Sequence, residues 1–522
     1  MKMEDFIPNI KSFDKRKLRH IDILNNSDSK SNWSKVYKEI LKGTIKSDDD
    51  LAMFLYKSKA AKKTAKFDNF KKEFIERVLN TFLFTNTEHS DWDDVLKFKF
   101  EANRRWLIIK NVSFSQLNYF AKELAEKLLL KTIEFEYTEI TLELLGIIKA
   151  HYSLKGDVKL FEETQNQFDY FENLLFAERK ARSYKEALRV CYAKSAAYQP
   201  ENAVRAKDYH EALTPFLQKY SSFSLHLNAF LVEVYIYSTV NDYAGWLEVA
   251  ERGIEYLKSR SFGFDSALAI FVGQKAVTST YLKKYGIAEE AINESIATTV
   301  KFTFNWFKQS ESKMFLLFRM KRYKEAHQLY NEVISISEFH EILHDMNLEM
   351  WNLFPAYLYL LNKLGKINET VFNIYSKEFR TKKFLNEVPA FDSDKDGMNL
   401  SLVIMELCDD VVEKKWNDIE GKGGKLKKYI LRHIDKNEPT LRFEIFLKML
   451  LEFPKLKDEK TDFTNNNDIL LSELKSYDKI ISENIYRLEI IEFEVVWQML
   501  LDVTNGKSIE HAVVKRELNE FV

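Results

Sequence analysis

Residues 339 to 346 read FHEILHDM, in which His340, Glu341 and His344 satisfy HExxH. On a continuous helix two histidines four positions apart share a face and could offer two imidazoles to zinc, with Glu341 positioning a water as general base. The surroundings favour a plainer reading. Glu338 and Asp345 put charge beside the motif, Glu349 is too near to serve as third ligand, and Glu369 falls in the turn phrase GKINET. No adjoining strand is predicted to hold a substrate. His340, Glu341 and His344 are therefore read as surface or groove residues of a helix, and a zinc metallopeptidase is the runner-up.

Two further stretches resemble ligand loops. In DSDKDGMNLSLV, residues 392 to 403, Asp392, Asp394, Asp396 and Gly397 fall at positions 1, 3, 5 and 6 of a calcium loop, but position 12 is Val403 where a bidentate Glu is needed. The expectation is a polar loop with Asn399 or Asp396 capping a helix from about Leu400. In EGKGGKLKKYILRH, residues 420 to 433, no Ser or Thr follows the Gly-Lys pair as a phosphate loop requires. Lys422, Lys425, Lys427, Lys428 and Arg432 are read as a solvated helix connection. A basic contact patch at Lys59, Lys62, Lys63 and Lys66, flanked by Tyr56 and Phe67, is the best candidate for nucleic-acid contact, although such a face is usually only solvated.

The elements that must carry these residues are helices. The chain has 522 residues with only 14 Gly and 7 Pro, is 45% hydrophobic and 30% charged, and so holds little material for hairpins. That length exceeds one compact core and calls for several domains or a repeat array. Net charge is −1, which supplies no global attraction to nucleic acid or an anionic membrane. Residues 1 to 130 hold 26 Lys and Arg against 19 acids and residues 400 to 522 hold 19 against 24, a mild polarity. Cys191 and Cys408 are far apart, which excludes a disulfide framework and a cysteine zinc cluster. The N-terminus lacks an apolar core for export, and no apolar run approaches the roughly 18 residues of a spanning helix. The expectation is a cytoplasmic protein with no cofactor and no membrane.

Residues 319 to 334, RMKRYKEAHQLYNEVI, set helical spacing on both sides of a phase break near Lys321 and Arg322. Tyr323 opens the second helix, and Ala326 is the small residue across which the first packs. Related phrases recur: SYKEALRVCY (183 to 192), DYHEALTPFL (208 to 217), DYAGWLEVAERGI (242 to 254), GIAEEAINESI (286 to 296) and GKINETVFNIY (365 to 375). Their aligned positions Trp246, Ala291, Ala326 and Thr370 are 45, 35 and 44 residues apart. This pattern resembles tetratricopeptide (TPR) repeats, whose period is about 34. The resemblance implies an all-α, TPR-like α-solenoid of stacked antiparallel helix pairs, with Tyr323, Ala326, Ala291 and Trp246 in repeat-core packing.

The organisation expected is an N-terminal arm (1 to 30), an N-terminal helical region (31 to 137), a repeat core (138 to 380) and a C-terminal helical region (381 to 522). In the second of these, Ser113 and Gln116 suggest a capping box opening a helix. FLNEVPAFDSDKDGMNLSLVIMEL (384 to 407), LRFEIFLKMLLEFPK (441 to 455) and LEIIEFEVVWQMLL (488 to 501) resemble uncharacterised helical-repeat proteins of Bacteroidota-type bacteria. That resemblance implies a bacterial cytosolic repeat protein and no catalytic residue. His210, His226, His327 and His433 sit in helical phrases and form no triad. The functional expectation is a non-catalytic scaffold or adaptor binding a protein or peptide in a concave groove; a ligand-sensing or nucleic-acid-binding regulator is the alternative beside the peptidase.

Overall fold

The structure is a computed structural model that describes residues 32–82, 87, 92–114, 118–194, 200–260, 265–343, 345–367, 398–422, 438–458, 462–477 and 489–505. Among these residues every regular element is a helix, as the scarcity of Gly and Pro dictates. The calcium-loop stretch apart from its helical end, Thr370, His344, His433 and the basic run after Lys422 lie outside the described residues.

The described chain divides into two compact units, and the division falls inside one helix. The first reaches to Leu175 and the second starts at Phe176. The first contains α1 (Asn32–Lys42), α2 (Asp48–Tyr56), a 3₁₀ turn (Lys59–Lys63), α3 (Ala65–Phe82), α4 (Asp94–Phe114), α5 (Asn118–Glu134) and α6 (Thr138–Lys155). Ser47 caps α2: its hydroxyl accepts from the Asp50 amide at 3.3 Å and donates to the Asp50 carboxylate at 3.0 Å. Val36, Ile40, Leu51, Phe67 and Phe74 form one core here, and Ala102, Ile109, Ala125, Leu128 and Leu144 another across α4, α5 and α6. Ser113 lies in the last turn of α4 and donates to the Lys110 carbonyl at 2.8 Å, so the capping box expected there does not open a helix.

α7 (Val158–Lys194) spans the division, and the second unit continues through α8 (Pro200–Lys219), α9 (Phe223–Ser238), α10 (Tyr243–Lys258), α11 (Asp265–Tyr281), α12 (Tyr285–Thr298), α13 (Phe304–Arg319), α14 (Tyr323–Ile334), α15 (Phe339–Ile342) and α16 (Asp345–Lys363). It ends with α17 (Met398–Val412), α18 (Glu438–Leu450), a 3₁₀ turn (Phe453–Asp458), α19 (Asp462–Ser476) and α20 (Phe493–Thr504). Consecutive helices from α8 to α14 pack on one another, and α11 also meets α13. Where α10 crosses α11, Gly253 is required: a Cβ there would lie 2.7 Å from the buried Phe271 ring.

One turn recurs between these helices. After α9, α11, α13, α16 and α17 the chain passes through a left-handed residue: Asn241, Lys283, Lys321, Gly365 and Lys414. At Lys283 the amide donates to the Thr280 carbonyl at 3.1 Å and the next amide to Ser279 at 2.8 Å; at Lys321 the matching bonds reach Phe318 at 3.1 Å and Leu317 at 2.9 Å. This paired bonding satisfies the last carbonyls of each helix and turns the chain back without a proline.

The largest core joins α13, α14 and α16 to α20 through Phe318, Trp351, Phe354, Phe443, Phe446 and Trp497. A buried ion network crosses it. Arg442 reaches Glu489 at 2.7 and 3.0 Å, Glu494 at 2.8 Å and the Leu474 carbonyl at 2.7 Å, while Arg319 donates to the Glu489 carbonyl at 2.5 Å. Burial opposes the Arg442 charge, and the two glutamates outweigh it and hold the guanidinium above its ordinary value.

Candidate functional site

In the second unit α9 turns one face toward a groove of about 330 Å³. Leu231, Val234, Tyr235 and Ser238 line it at the i, i+3, i+4 and i+7 positions of one helical stripe. Trp246 from α10 and Gln274 from α11 extend the floor, with the indole N–H donating to the Gln274 side-chain oxygen at 3.3 Å. That bond fixes the indole plane. Lys185 and Arg189, one turn apart on α7, complete the lining.

The two cations give the groove its chemistry. Neither side chain has a hydrogen-bond or ion-pair partner among the described residues, whereas Arg252 and His210 of the same unit both engage the buried Glu233. Burial chiefly, with Arg189 and Arg182 adding like charge and Glu186 opposing, holds the Lys185 ammonium below the usual lysine range. An anion placed against Lys185 and Arg189 would relieve that cost, and apolar side chains beside it would cover Leu231, Val234 and Trp246. The arrangement suits binding; the lining contains no nucleophile paired with a base.

The residues singled out by sequence are placed as follows. Tyr323 and Ala326 enter the large core, Ala291 packs with Val272 and Ile292, and Trp246 packs with Val234 and Val249 while also lining the groove. His340 and Glu341 are exposed on α15, which spans only Phe339–Ile342; Leu343 is extended at φ −93° and ψ 110°. The continuous helix that would bring the ends of HExxH onto one face is thus not formed. Among the described residues no three His, Cys, Asp or Glu side chains converge as metal ligands.

The basic patch is interleaved with acids that sequence distance hid. Lys62 pairs with Asp49 at 2.5 Å, Lys71 pairs with Asp48 at 2.6 Å, and Lys66 lies 5.5 Å from the Tyr56 ring centroid. Phe67 is buried in the core. Lys59 and Lys63 stand on the same 3₁₀ turn. Lys422 is likewise engaged, by Glu406 and Asp410. His226 contacts the Tyr220 carbonyl at 2.9 Å and stacks on Tyr256, and His327 is buried beside Asn331.

Sequence reasoning quoted the phrase that contains Lys185 and Arg189 but gave neither a role. Their spacing was visible; what was not visible is that no described residue forms an ion pair with either, which depends on what α9, α10 and α11 bring opposite. No known protein family, curated protein or solved structure matches the chain. Among the described residues no helix is long and apolar enough to cross a membrane.

Proposed function

We propose that this chain is a non-catalytic, TPR-like helical-repeat scaffold of the cytoplasm that holds an acidic segment of a protein partner in the groove between α7, α9, α10 and α11. The observation that carries this reading is Lys185 and Arg189, neither in an ion pair among the described residues, set beside the apolar Leu231, Val234 and Trp246. Recurrence of the left-handed turn after α9, α11, α13 and α16, at intervals of 42, 38 and 44 residues, supports a repeat architecture. A solenoid of such pairs leaves one lengthwise face free for an extended segment.

Recognition in this reading divides into two parts. Carboxylates of the partner meet Lys185 and Arg189, which sets orientation and speeds encounter, and the partner's apolar side chains on Val234 and Trp246 supply most of the affinity. A tagged chain isolated from its host at physiological salt is expected to bring down a near-stoichiometric protein with an acidic segment. The variant carrying Lys185→Glu and Arg189→Glu is expected to lose it while keeping its unfolding temperature. Equal recovery by both forms would refute the groove as the site.

A further inference from the structure

A second cavity, of about 550 Å³, lies where the turn after α13, the turn after α16 and the first turns of α20 come together. We propose that it binds a small organic anion: a carboxylate or phosphate ester held by Lys321, Lys366 and the Tyr323 hydroxyl, with its apolar part on Val495 and Met499. This goes beyond the partner-binding role and uses none of the groove's residues.

Three features converge here. Lys321 and Lys366 are exposed and line the cavity from equivalent turns, and their ammonium groups have no hydrogen-bond or ion-pair partner among the described residues. Tyr323 lines the same cavity and is 6% exposed, yet its hydroxyl finds no hydrogen-bond partner among the described residues. A buried hydroxyl left unpaired is costly, and a ligand oxygen at the cavity wall would offset that cost. Burial, and then Glu492, push the Tyr323 phenol up, so it stays a donor throughout the physiological range. Finally, α20 lines the cavity with one stripe over its first two turns, Glu494, Val495, Gln498 and Met499, of which Val495 and Met499 supply an apolar wall.

The acids on this wall are already committed. Glu494 is held by Arg442 at 2.8 Å, and Glu492, one residue before α20, is held by Lys283 at 3.3 Å and Arg319 at 3.5 Å. The two lysines are therefore the uncommitted charge. Size is consistent with a ligand larger than a bare ion, since small-molecule pockets run from about 300 to 1,000 Å³.

Calorimetric titration of the whole chain at low salt with hexanoate, hexyl phosphate and hexan-1-ol tests the proposal. At least one of the two anions is expected to bind saturably with a Kd below about 10 mM, and the better of them identifies the head group; the alcohol is expected not to bind. Tyr323→Phe is expected to weaken the anion about tenfold while leaving the unfolding temperature equal or higher, because the lost hydroxyl bonds nothing in the protein. The double variant Lys321→Asn, Lys366→Gln is expected to weaken it at least as much. Absence of saturable anion binding, equal binding of the alcohol, or unchanged affinity in either variant would overturn it.

Discussion

Lys185 is partly stripped of water by its burial; the neighbouring Glu186 only partly offsets this, and no carboxylate among the described residues pairs with it. Lys185 and the exposed Arg189 line the same groove, and a partner's carboxylate can offset the cost of burying Lys185. His327 carries a cost of a different kind. It is 2% exposed, and burial holds its imidazole below the ordinary histidine value. The unfolded chain therefore takes up this proton at a higher pH than the folded chain does. Stability contributed by the neutral ring is fully present above the ordinary value of about 6.5 and is lost as pH falls below it. The urea midpoint should drop between about pH 7.5 and pH 5.5, and His327→Gln should flatten that part of the curve. An identical pH profile in the variant would show that His327 is not the group responsible.

At the scale of elements, the helices were legible because 3.6-residue spacing and the rarity of breakers leave little choice. Their ends were less so. The turns after α11, α13 and α17 place Lys283, Lys321 and Lys414 in the left-handed region, where a glycine or asparagine would have announced the stop. At HExxH nothing in the residue types marks the end of α15, yet the backbone becomes extended at Leu343. Two substitutions with opposite signs test this account of the turns and crossings. Lys414, at φ 54°, strains an L-residue, so Lys414→Gly should stabilise by about 1 kcal/mol. Gly253→Ala, which raises intrinsic helix propensity, should instead destabilise by about 1 to 3 kcal/mol, because the new methyl meets the Phe271 ring. Chemical denaturation reads both, and a stabilising Gly253→Ala would contradict the close crossing of α10 and α11.

For the molecule as a whole, the proposed repeat architecture predicts stability that is local and additive along the chain. The buried network qualifies this in the second unit, since Arg319 on α13 contacts Glu489, 170 residues later. Arg442 and Glu489 are 1% and 0% exposed, so removing the guanidinium leaves a carboxylate buried without its main partner. Arg442→Met should cost about 3 to 5 kcal/mol, read by denaturant unfolding; a loss of only a few tenths would show that Glu489 is otherwise satisfied. Neither this network nor the groove was legible in the sequence. Each depends on which side chains from distant helices face one another, and Arg442, Lys185 and Arg189 look in isolation like ordinary charged residues of amphipathic helices.

The most direct test of the partner-binding claim is the fluorescence anisotropy of labelled peptides, matched in apolar content but acidic, neutral or basic, titrated with the whole chain. The acidic peptides should bind best, lose affinity as salt rises, and lose it by at least about tenfold against Lys185→Glu, Arg189→Glu. Binding that ignores peptide charge, or that survives the reversal of both cations, would contradict the account.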